Sequence, residues 1–458
     1  MKRLALPHAW RSRFWDRVLA GLFIAAATLV AAVAWQRPAR DPKLAFFSPE
    51  IYPEELARHT WLGMINNVYT PEKLRRSLET ARQQGARLQL DFSPIFLRKH
   101  QDIHTTYQSN GQLQQKSFSP LPSHKVKRPN TYSELKRLIA PTAPILKKYR
   151  RQIAAIFIAD EPYLHGISRS ELERAARSVR HLLAENGLHD VPLGVTFAGA
   201  MFHPGFAAMI AGQANAYVAD IEQYYQNIRG DESEESRRWI EAYSQNRLTT
   251  YDLAGNIYTG GGIPEGVDII AYDLYTASLL QDTLHAHTLA WFAELGASAA
   301  CTPFKNTSMP QVRTQLSFYS DDNAGAAPGA QEADNALLNA IFTCKSESML
   351  QLLKKHAPKG TTLQLWGESS ANGFLDFDAR GNKKNEQSQA LIAARVRSEM
   401  QRTLDFYQRR RRDYAGGLIF FIWDDTVDIT INLPISGARS VPGAPAMVFE
   451  KIGKRRPH

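Results

Sequence analysis

Cysteine is scarce in this chain, since Cys301 and Cys344 are the only two among 458 residues. So few cysteines exclude a disulfide framework of the kind that holds small secreted domains together, and they exclude a cysteine-rich metal site. One bridge between them remains open in an oxidising compartment, although the sequence does not establish that their geometry allows it.

Patterns typical of metal and nucleophile sites are also missing. No cysteine–histidine cluster offers a metal site, and the Gly-x-Ser-x-Gly elbow of serine hydrolases is absent. His285 and His287 fall in a segment with helical spacing, where side chains two positions apart diverge. We interpret Asp424, Asp425 and Asp428 as solvated residues at the end of a strand. We therefore predict neither a metal ion nor a cofactor.

The charge distribution argues against a nucleic-acid partner. The formal net charge is +10, but residues 1–17 carry +4 of it and residues 451–458, a basic tail, carry another +4. The body of the chain is nearly neutral, which is not the electrostatic footprint of a nucleic-acid-binding protein. With 44% hydrophobic and 22% charged residues, its composition is that of an ordinary globular protein.

Residues 18–35 carry no charge and follow the basic N-terminal segment. Such a run is at the short end of the roughly 17–25 residues that cross a bilayer, and the positive-inside rule keeps residues 1–17 in the cytoplasm. We predict a single-pass signal anchor in a bacterial inner membrane, a linker over residues 36–43, and a domain in the periplasm or outside the cell. The alternative is a signal peptide cleaved near Ala32-Val33-Ala34, which exports the same domain.

Strand-like and helix-like segments alternate over residues 44–450, which predicts a parallel sheet covered by helices. The length suits one (β/α)8 TIM barrel with insertions. A polar stretch, residues 100–130, is too long for an ordinary loop and is interpreted as a lid or an insertion. The predicted strands are Leu44–Tyr52, Trp61–Tyr69, Arg87–Ser93, Ile153–Asp160, Val191–Ala198, Ala216–Tyr224, Val267–Tyr275, Thr361–Glu368 and Gly417–Asp425.

Polar or aromatic residues stand at the ends of most of these strands. Barrels collect the carboxyl ends of their strands on one face, where their chemistry takes place. We therefore expect these residues to meet there, although Asp160 and Glu161 have the alternative role of capping the next helix. The residues are Asn66, Asp91, Asp160, Glu161, Tyr272, Tyr275, Trp366, Glu368 and Trp423.

The order of these strand ends resembles the clan of retaining (β/α)8 glycoside hydrolases. A strand ending in Glu-Pro is followed by one ending in tyrosines, then by Trp366-Gly367-Glu368, and then by a last strand ending in Trp423. The resemblance implies that Glu161 is the acid/base at the end of the fourth strand and Glu368 the nucleophile at the end of the seventh. It also implies that Tyr272 or Tyr275 is the tyrosine of the sixth strand.

The chain departs from the clan at the residue before the acid/base, where Asp160 replaces the usual asparagine. The strand count is open too, because Glu161 ends the fourth strand only if Leu44–Tyr52 is the first. If Trp61–Tyr69 is the first, Glu161 ends the third and Ala216–Tyr224 completes the count.

Two functions follow from these residues. The first is hydrolysis of a polysaccharide or oligosaccharide, with Glu161 and Glu368 as the catalytic pair. Asp160, Asn66, Asp91, Tyr272, Tyr275, Trp366 and Trp423 would then bind the substrate, since aromatic faces offer platforms for sugar rings. The second is a barrel that binds an exported polysaccharide without cutting it, within a complex for exopolysaccharide synthesis or export.

Overall fold

Short apolar strands close into a barrel in this computed structural model. The structure describes residues 43–66, 70–99, 105–109, 112–116, 127–206, 261–275, 284–305, 329–372, 374–378, 380–428 and 433–452. The barrel strands are β1 (Leu44–Ser48), β2 (Leu62–Ile65), β3 (Arg87–Asp91), β4 (Ile153–Asp160), β5 (Leu193–Ala198), β6 (Ile269–Asp273), β7 (Thr362–Glu368) and β8 (Gly417–Phe421).

Each barrel strand pairs in parallel with the next one along the chain, and β8 pairs with β1 to close the ring of eight. Parallel strands place all their carboxyl ends at one mouth of the barrel. The first strand is Leu44–Ser48, so Glu161 directly follows the fourth strand and Glu368 ends the seventh. The predicted strand Ala216–Tyr224 lies outside the described residues.

Helices cover the barrel. The longer ones begin at positions that the sequence indicates: Ser168 caps α6 in a capping box with Glu171, and Thr70 precedes α2 with a proline at its first position. The helices are α1 (Glu54–His59), α2 (Pro71–Gln83), α3 (Ser93–Phe96), α4 (Tyr132–Ile139), α5 (Ala143–Lys148), α6 (Arg169–Glu185), α7 (Leu284–Glu294), α8 (Ala330–His356), α9 (Glu386–Arg410) and α10 (Ala444–Ile452).

Two apolar layers stabilise the fold, one inside the barrel and one between the barrel and its helices. Alternate residues of each strand enter one or the other. On β7, Trp366 belongs to the inner layer, whereas Leu363 and Leu365 belong to the outer one. On β6, Ile269 and Ala271 face inward. This alternation decides which strand-end residues reach the mouth.

Short antiparallel pairs lie between β3 and α4, in and beside the polar stretch of residues 100–130. Leu97–Lys99 pairs with Lys127–Pro129, and Thr105–Ser109 pairs with Gln112–Lys116. A third such pair, Thr426–Asp428 with Leu433–Ile435, follows β8.

The predicted anchor, residues 18–35, lies outside the described residues. Within the described part of the chain, none of the helices combines the length and apolar character that crossing a bilayer requires.

The two cysteines form a disulfide, with their Cα atoms 4.7 Å apart and 43 positions between them in sequence. The bridge ties the turn Ala299–Phe304 to α8.

Closing a loop of the length between Cys301 and Cys344 removes chain entropy from the unfolded state, which corresponds to about 4 kcal/mol of stability. We expect a Cys301→Ser/Cys344→Ser double variant of the full chain to lose about that much free energy of unfolding in urea. A reducing agent should lower the wild-type midpoint to the variant's and leave the variant unchanged. A midpoint of the oxidised wild type that equals the variant's would contradict the bridge.

Candidate active site

A cleft of about 190 Å³ opens at the carboxyl ends of the barrel strands. Three of its carboxyl-bearing residues, Asp91, Asp160 and Asp273, are the last residues of β3, β4 and β6. Glu161, which follows β4, is the fourth. The remaining lining consists of aromatic, apolar and hydroxyl side chains: Phe47, Met64, Phe157, Ala159, Thr196, Tyr275, Trp366 and Phe421.

Glu161 has an unusual backbone conformation. Its φ of 45° lies in the left-handed region, and it is the one non-glycine with positive φ in the described part of the chain. Such a residue costs roughly 1–3 kcal/mol and persists where the surroundings fix it, often at functional sites. Here Pro162 starts a 3₁₀ turn, and the Glu161 N–H donates to the Thr196 carbonyl at 2.9 Å. The side chain is thereby directed from the end of β4 into the cleft.

The carboxyls of Glu161, Asp160 and Asp273 line the same cleft. Burial, followed by the charges of Asp273 and Asp160, raises the pKa of Glu161 well above its ordinary value. This shift favours the protonated form of Glu161. A buried glutamic acid beside other carboxylates has the character of a general acid.

The pKa values of the other three cleft carboxyls are raised as well. Burial, with a contribution from the Asp160 charge, raises the pKa of Asp91 to about 7. Burial likewise raises the pKa of Asp160, and it raises the pKa of Asp273 to about 7. Lys127 opposes these shifts, because its positive charge lowers the pKa values of Asp91, Asp160 and Glu161.

Glu368 is held by the residues that follow it. Its Oε1 accepts from the Ser370 N–H at 3.1 Å and from the Ser370 hydroxyl at 2.5 Å, and its Oε2 accepts from Asn372 at 3.5 Å. Its exposure is 2%, and it is not among the residues that line the cleft. Burial outweighs the three hydrogen bonds and raises the pKa of Glu368 to about 7.

Tyr275 links the two glutamates electrostatically. Its pKa is raised well above the ordinary value by burial and then by the charges of Asp273, Glu368, Glu161 and Asp160. Its hydroxyl therefore lies within electrostatic reach of the glutamates from both β4 and β7. Both carboxyls stand at the same mouth of the barrel, and burial and the neighbouring carboxylates favour the neutral form of the Tyr275 hydroxyl.

An aromatic floor closes the cleft from below. The ring of Trp366 lies 5.7 Å from that of Phe47 and 6.5 Å from that of Phe157, measured between centroids. The Trp366 indole N–H donates to Gln364 at 3.0 Å, so its polar atom is satisfied inside the barrel. The exposed fraction of Trp366 is 4%, so the residue forms the base of the cleft and offers little ring surface to a ligand.

Several predicted contact residues do not reach the cleft. Tyr272 is fully buried on the outer side of β6, where its hydroxyl bonds to that of Tyr414. Trp423 is also in the outer layer, with its ring centroid 5.0 Å from Phe46 and 5.7 Å from Phe449. Asn66 follows β2, and its N–H donates to Ser48 at 3.1 Å, but it is not part of the lining.

The sequence interpretation did not assign a role to Asp273. The period of a strand shows only that Tyr272 and Asp273 lie on opposite faces, with Ile269 and Ala271 on the face of Asp273. Thr196, which lines the cleft from β5, was missed as well.

The chain is only distantly similar to known proteins. No protein-family model matches the chain, and no curated protein matches it in sequence. Among solved structures, it is similar to a plant β-glucan endohydrolase, with 12% identity, a TM-score of 0.34, and coverage of 84% of this chain and 91% of that one. A glucosidase from Croceicoccus marinus gives 10% identity, a TM-score of 0.36, and coverage of 90% and 66%. For fungal β-1,4-galactanases the identity is 8% and the TM-score is 0.31, with coverage of 77% of this chain and 99% of that one.

The closed ring of eight parallel strands confirms the predicted (β/α)8 fold. At these identities and TM-scores the likeness tells nothing about the site, so the function proposed below depends on the chain's own side chains.

Proposed function

We propose that the chain is a glycoside hydrolase that cleaves a polysaccharide by a two-glutamate mechanism. The observation that carries this proposal is the pair of glutamates that follow β4 and end β7 at one mouth, both within electrostatic reach of Tyr275. Hydrolysis of a glycosidic bond needs one protonated carboxyl and one ionised carboxylate on either side of the bond.

Glu161 would donate its proton to the leaving glycosidic oxygen. Its raised pKa favours the protonated form that this step needs. In a retaining mechanism the same side chain, once ionised, would take a proton from water during the second step.

Glu368 would attack the sugar carbon and form the covalent intermediate. Its pKa is raised to about 7, so this carboxyl ionises as the pH rises through that value. Asp91, Asp160 and Tyr275 would bind sugar hydroxyls, with Trp366 beneath the ring.

The proposed location is outside the cytoplasmic membrane, tethered by residues 18–35. The Cys301–Cys344 bridge supports this location, because disulfides persist in oxidising compartments and are rare in the cytosol. The inner membrane and, in one variant of the proposal, an exopolysaccharide synthesis or export complex would be its partners.

Digestion of a glycan panel by the full chain tests the proposal. We expect polysaccharides without carboxylates of their own to be cleaved in preference to uronic-acid polymers. The reason is that Asp91, Asp160, Glu161 and Asp273 line one small cleft, where a further carboxylate would be repelled. Measured initial rates should favour the uncharged polymer at pH 7.5, and the preference should weaken at pH 5, where the cleft carboxyls with raised pKa values become protonated. Equal rates for both classes at both pH values would contradict this electrostatic selection, and no cleavage of any glycan would contradict the hydrolase proposal.

Binding without cleavage is the second candidate, and the 2% exposure of Glu368 favours it. A nucleophile must reach the substrate, whereas a carboxylate held by Ser370 and Asn372 also serves to shape the mouth. Equilibrium binding of an oligosaccharide that remains intact after prolonged incubation would support this candidate over the hydrolase.

A further inference from the structure

The ionisable side chains that line the cleft are acidic, apart from the Tyr275 hydroxyl. They are Asp91, Asp160, Glu161 and Asp273, and among the residues that the structure describes the lining contains no lysine, arginine or histidine. Carboxylates gathered in a buried space repel one another, and buried charges in proteins are paired with an opposite charge or bound to a cation. The cleft therefore favours a ligand with a positive charge over a neutral one.

Thr196 adds a polar atom that is left for a ligand. The residue is 2% exposed and lines the cleft from β5. Leu193, Val195 and Phe197 pack in the outer layer, so the alternation of the strand turns the Thr196 side chain inward. Its carbonyl accepts from the Glu161 N–H, whereas its hydroxyl bonds to no group in the described part of the chain. A buried hydroxyl normally has a hydrogen-bond partner, so this one is suited to a bound molecule.

Asp160 is the neighbour of Thr196 across the sheet. The two residues are register partners in the parallel pairing of β4 with β5. Partners on adjacent strands direct their side chains to the same face of the sheet. A carboxyl and a hydroxyl therefore stand side by side at the mouth of the barrel, and both are able to accept a hydrogen bond.

The cation that suits these acceptors is an ammonium group. An ammonium has three donors and no acceptor, and its bonds to carboxylates span about 2.7–2.9 Å. A metal ion needs several ligands around one point at about 2.0–2.6 Å. The described residues include no set of three acidic, histidine or cysteine side chains placed to do this.

The size of the cleft limits what carries the ammonium. At about 190 Å³ the cleft is smaller than the roughly 300–1,000 Å³ of pockets for drug-sized ligands. It therefore suits a small group, such as a single sugar unit.

We propose that the cleft binds a sugar unit with a free amino group, whose ammonium donates to Asp160 and Thr196 in place of a sugar hydroxyl. The substrate class is then a polysaccharide in which this unit is an amino sugar without an N-acetyl group. That the unit belongs to a cleaved polysaccharide rests on the function proposed above, whereas the binding of the amino sugar itself does not. A bound ammonium acts on the carboxyls as Lys127 does, because its positive charge favours their ionised form.

Binding of free monosaccharides to the full chain tests the proposal without any cleavage. Glucosamine, galactosamine and mannosamine are each compared, by NMR titration at pH 7, with the N-acetylated sugar and with the parent hexose. The ring stays the same within each set, so the comparison isolates the amino group. We expect the amino sugar of at least one set to bind about tenfold more tightly than both neutral forms, because hydrogen bonds to charged groups contribute more than those between neutral groups.

Two substitutions locate the amino group in the cleft. Asp160→Asn should weaken binding of the amino sugar by about tenfold and so remove the preference, while binding of the parent hexose stays nearly unchanged. Thr196→Val keeps the shape of the side chain without its hydroxyl and should weaken binding of the amino sugar by about three- to tenfold. Asp190→Asn is the matched control, because Asp190 is exposed, precedes the opposite end of β5 and pairs with Arg150. It should keep the wild-type preference.

Equal affinity of the wild type for the amino, N-acetylated and parent sugars in all three sets overturns the proposal, whether or not a glycan is cleaved. A preference that survives in both Asp160→Asn and Thr196→Val overturns it as well. If the amino sugar is preferred as expected while no glycan is hydrolysed, the binding site is supported and the hydrolase function is what fails. If neutral glycans are hydrolysed and the preference is absent, the hydrolase function stands and the amino-sugar proposal fails alone.

Discussion

Glu161→Gln is expected to lower kcat for a natural polysaccharide by about 10²- to 10⁴-fold, the usual contribution of a general acid. The amide carries no transferable proton, but it retains the volume of the side chain. The loss should be far smaller for aryl glycosides with acidic leaving groups, because such groups depart without protonation. Steady-state rates across a series of aryl glycosides, compared with the polysaccharide, measure this difference.

The matched control for this prediction is Glu55→Gln, which makes the same chemical change on the exposed surface of α1. We expect wild-type rates from it. Wild-type hydrolysis of the polysaccharide by Glu161→Gln would remove Glu161 from the mechanism. An equal loss for every leaving group would assign to Glu161 a role in shaping the cleft and not in proton transfer.

Much of the site was predictable because strand ends in a parallel barrel are visible in sequence. The apolar run Ile153–Ile158 followed by Asp160, Glu161 and Pro162 places its carboxylates at the mouth, and β4 ends there. Trp366 and Glu368, two positions apart, were assigned together and lie on the same strand. Ser168 and Glu171 form the capping box that the spacing indicates.

The face of each strand was less predictable, because a doubly covered sheet is apolar on both sides. Tyr272 and Asp273 are neighbours on β6, and their composition does not reveal which one faces the barrel interior. Trp423 follows β8 and packs outward against Phe449, where an aromatic ring is as well buried as in the cleft. An irregularity in the pairing of β4 with β5 between Phe157 and Ala159 adds to the difficulty. Long-range register of this kind has no local sequence signal.

Glu368→Gln is expected to abolish turnover and to stabilise the protein at alkaline pH. Removing a nucleophile from another class of hydrolase costs about 10⁶-fold in kcat, so we expect a loss beyond about 10⁴-fold here. The stability effect follows from the pKa of about 7 that burial imposes on a group whose ordinary value is 4.5. Between these pH values the folded state binds more protons than the unfolded state. The wild-type free energy of unfolding therefore falls as pH rises through this window and stays lower above it.

A glutamine does not titrate, so the variant should gain up to about 3 kcal/mol relative to wild type on going from pH 4 to pH 8. Urea unfolding of both proteins at the two pH values measures this gain, and Glu332→Gln, on the exposed surface of α8, is the control that should show none. A variant that is inactive yet more stable at pH 8 identifies a carboxylate retained for chemistry at a cost in stability. A variant that is less stable at both pH values, or that still hydrolyses the glycan, makes Glu368 a structural residue of the β7 turn. The nucleophile would then have to come from the carboxyls that line the cleft itself.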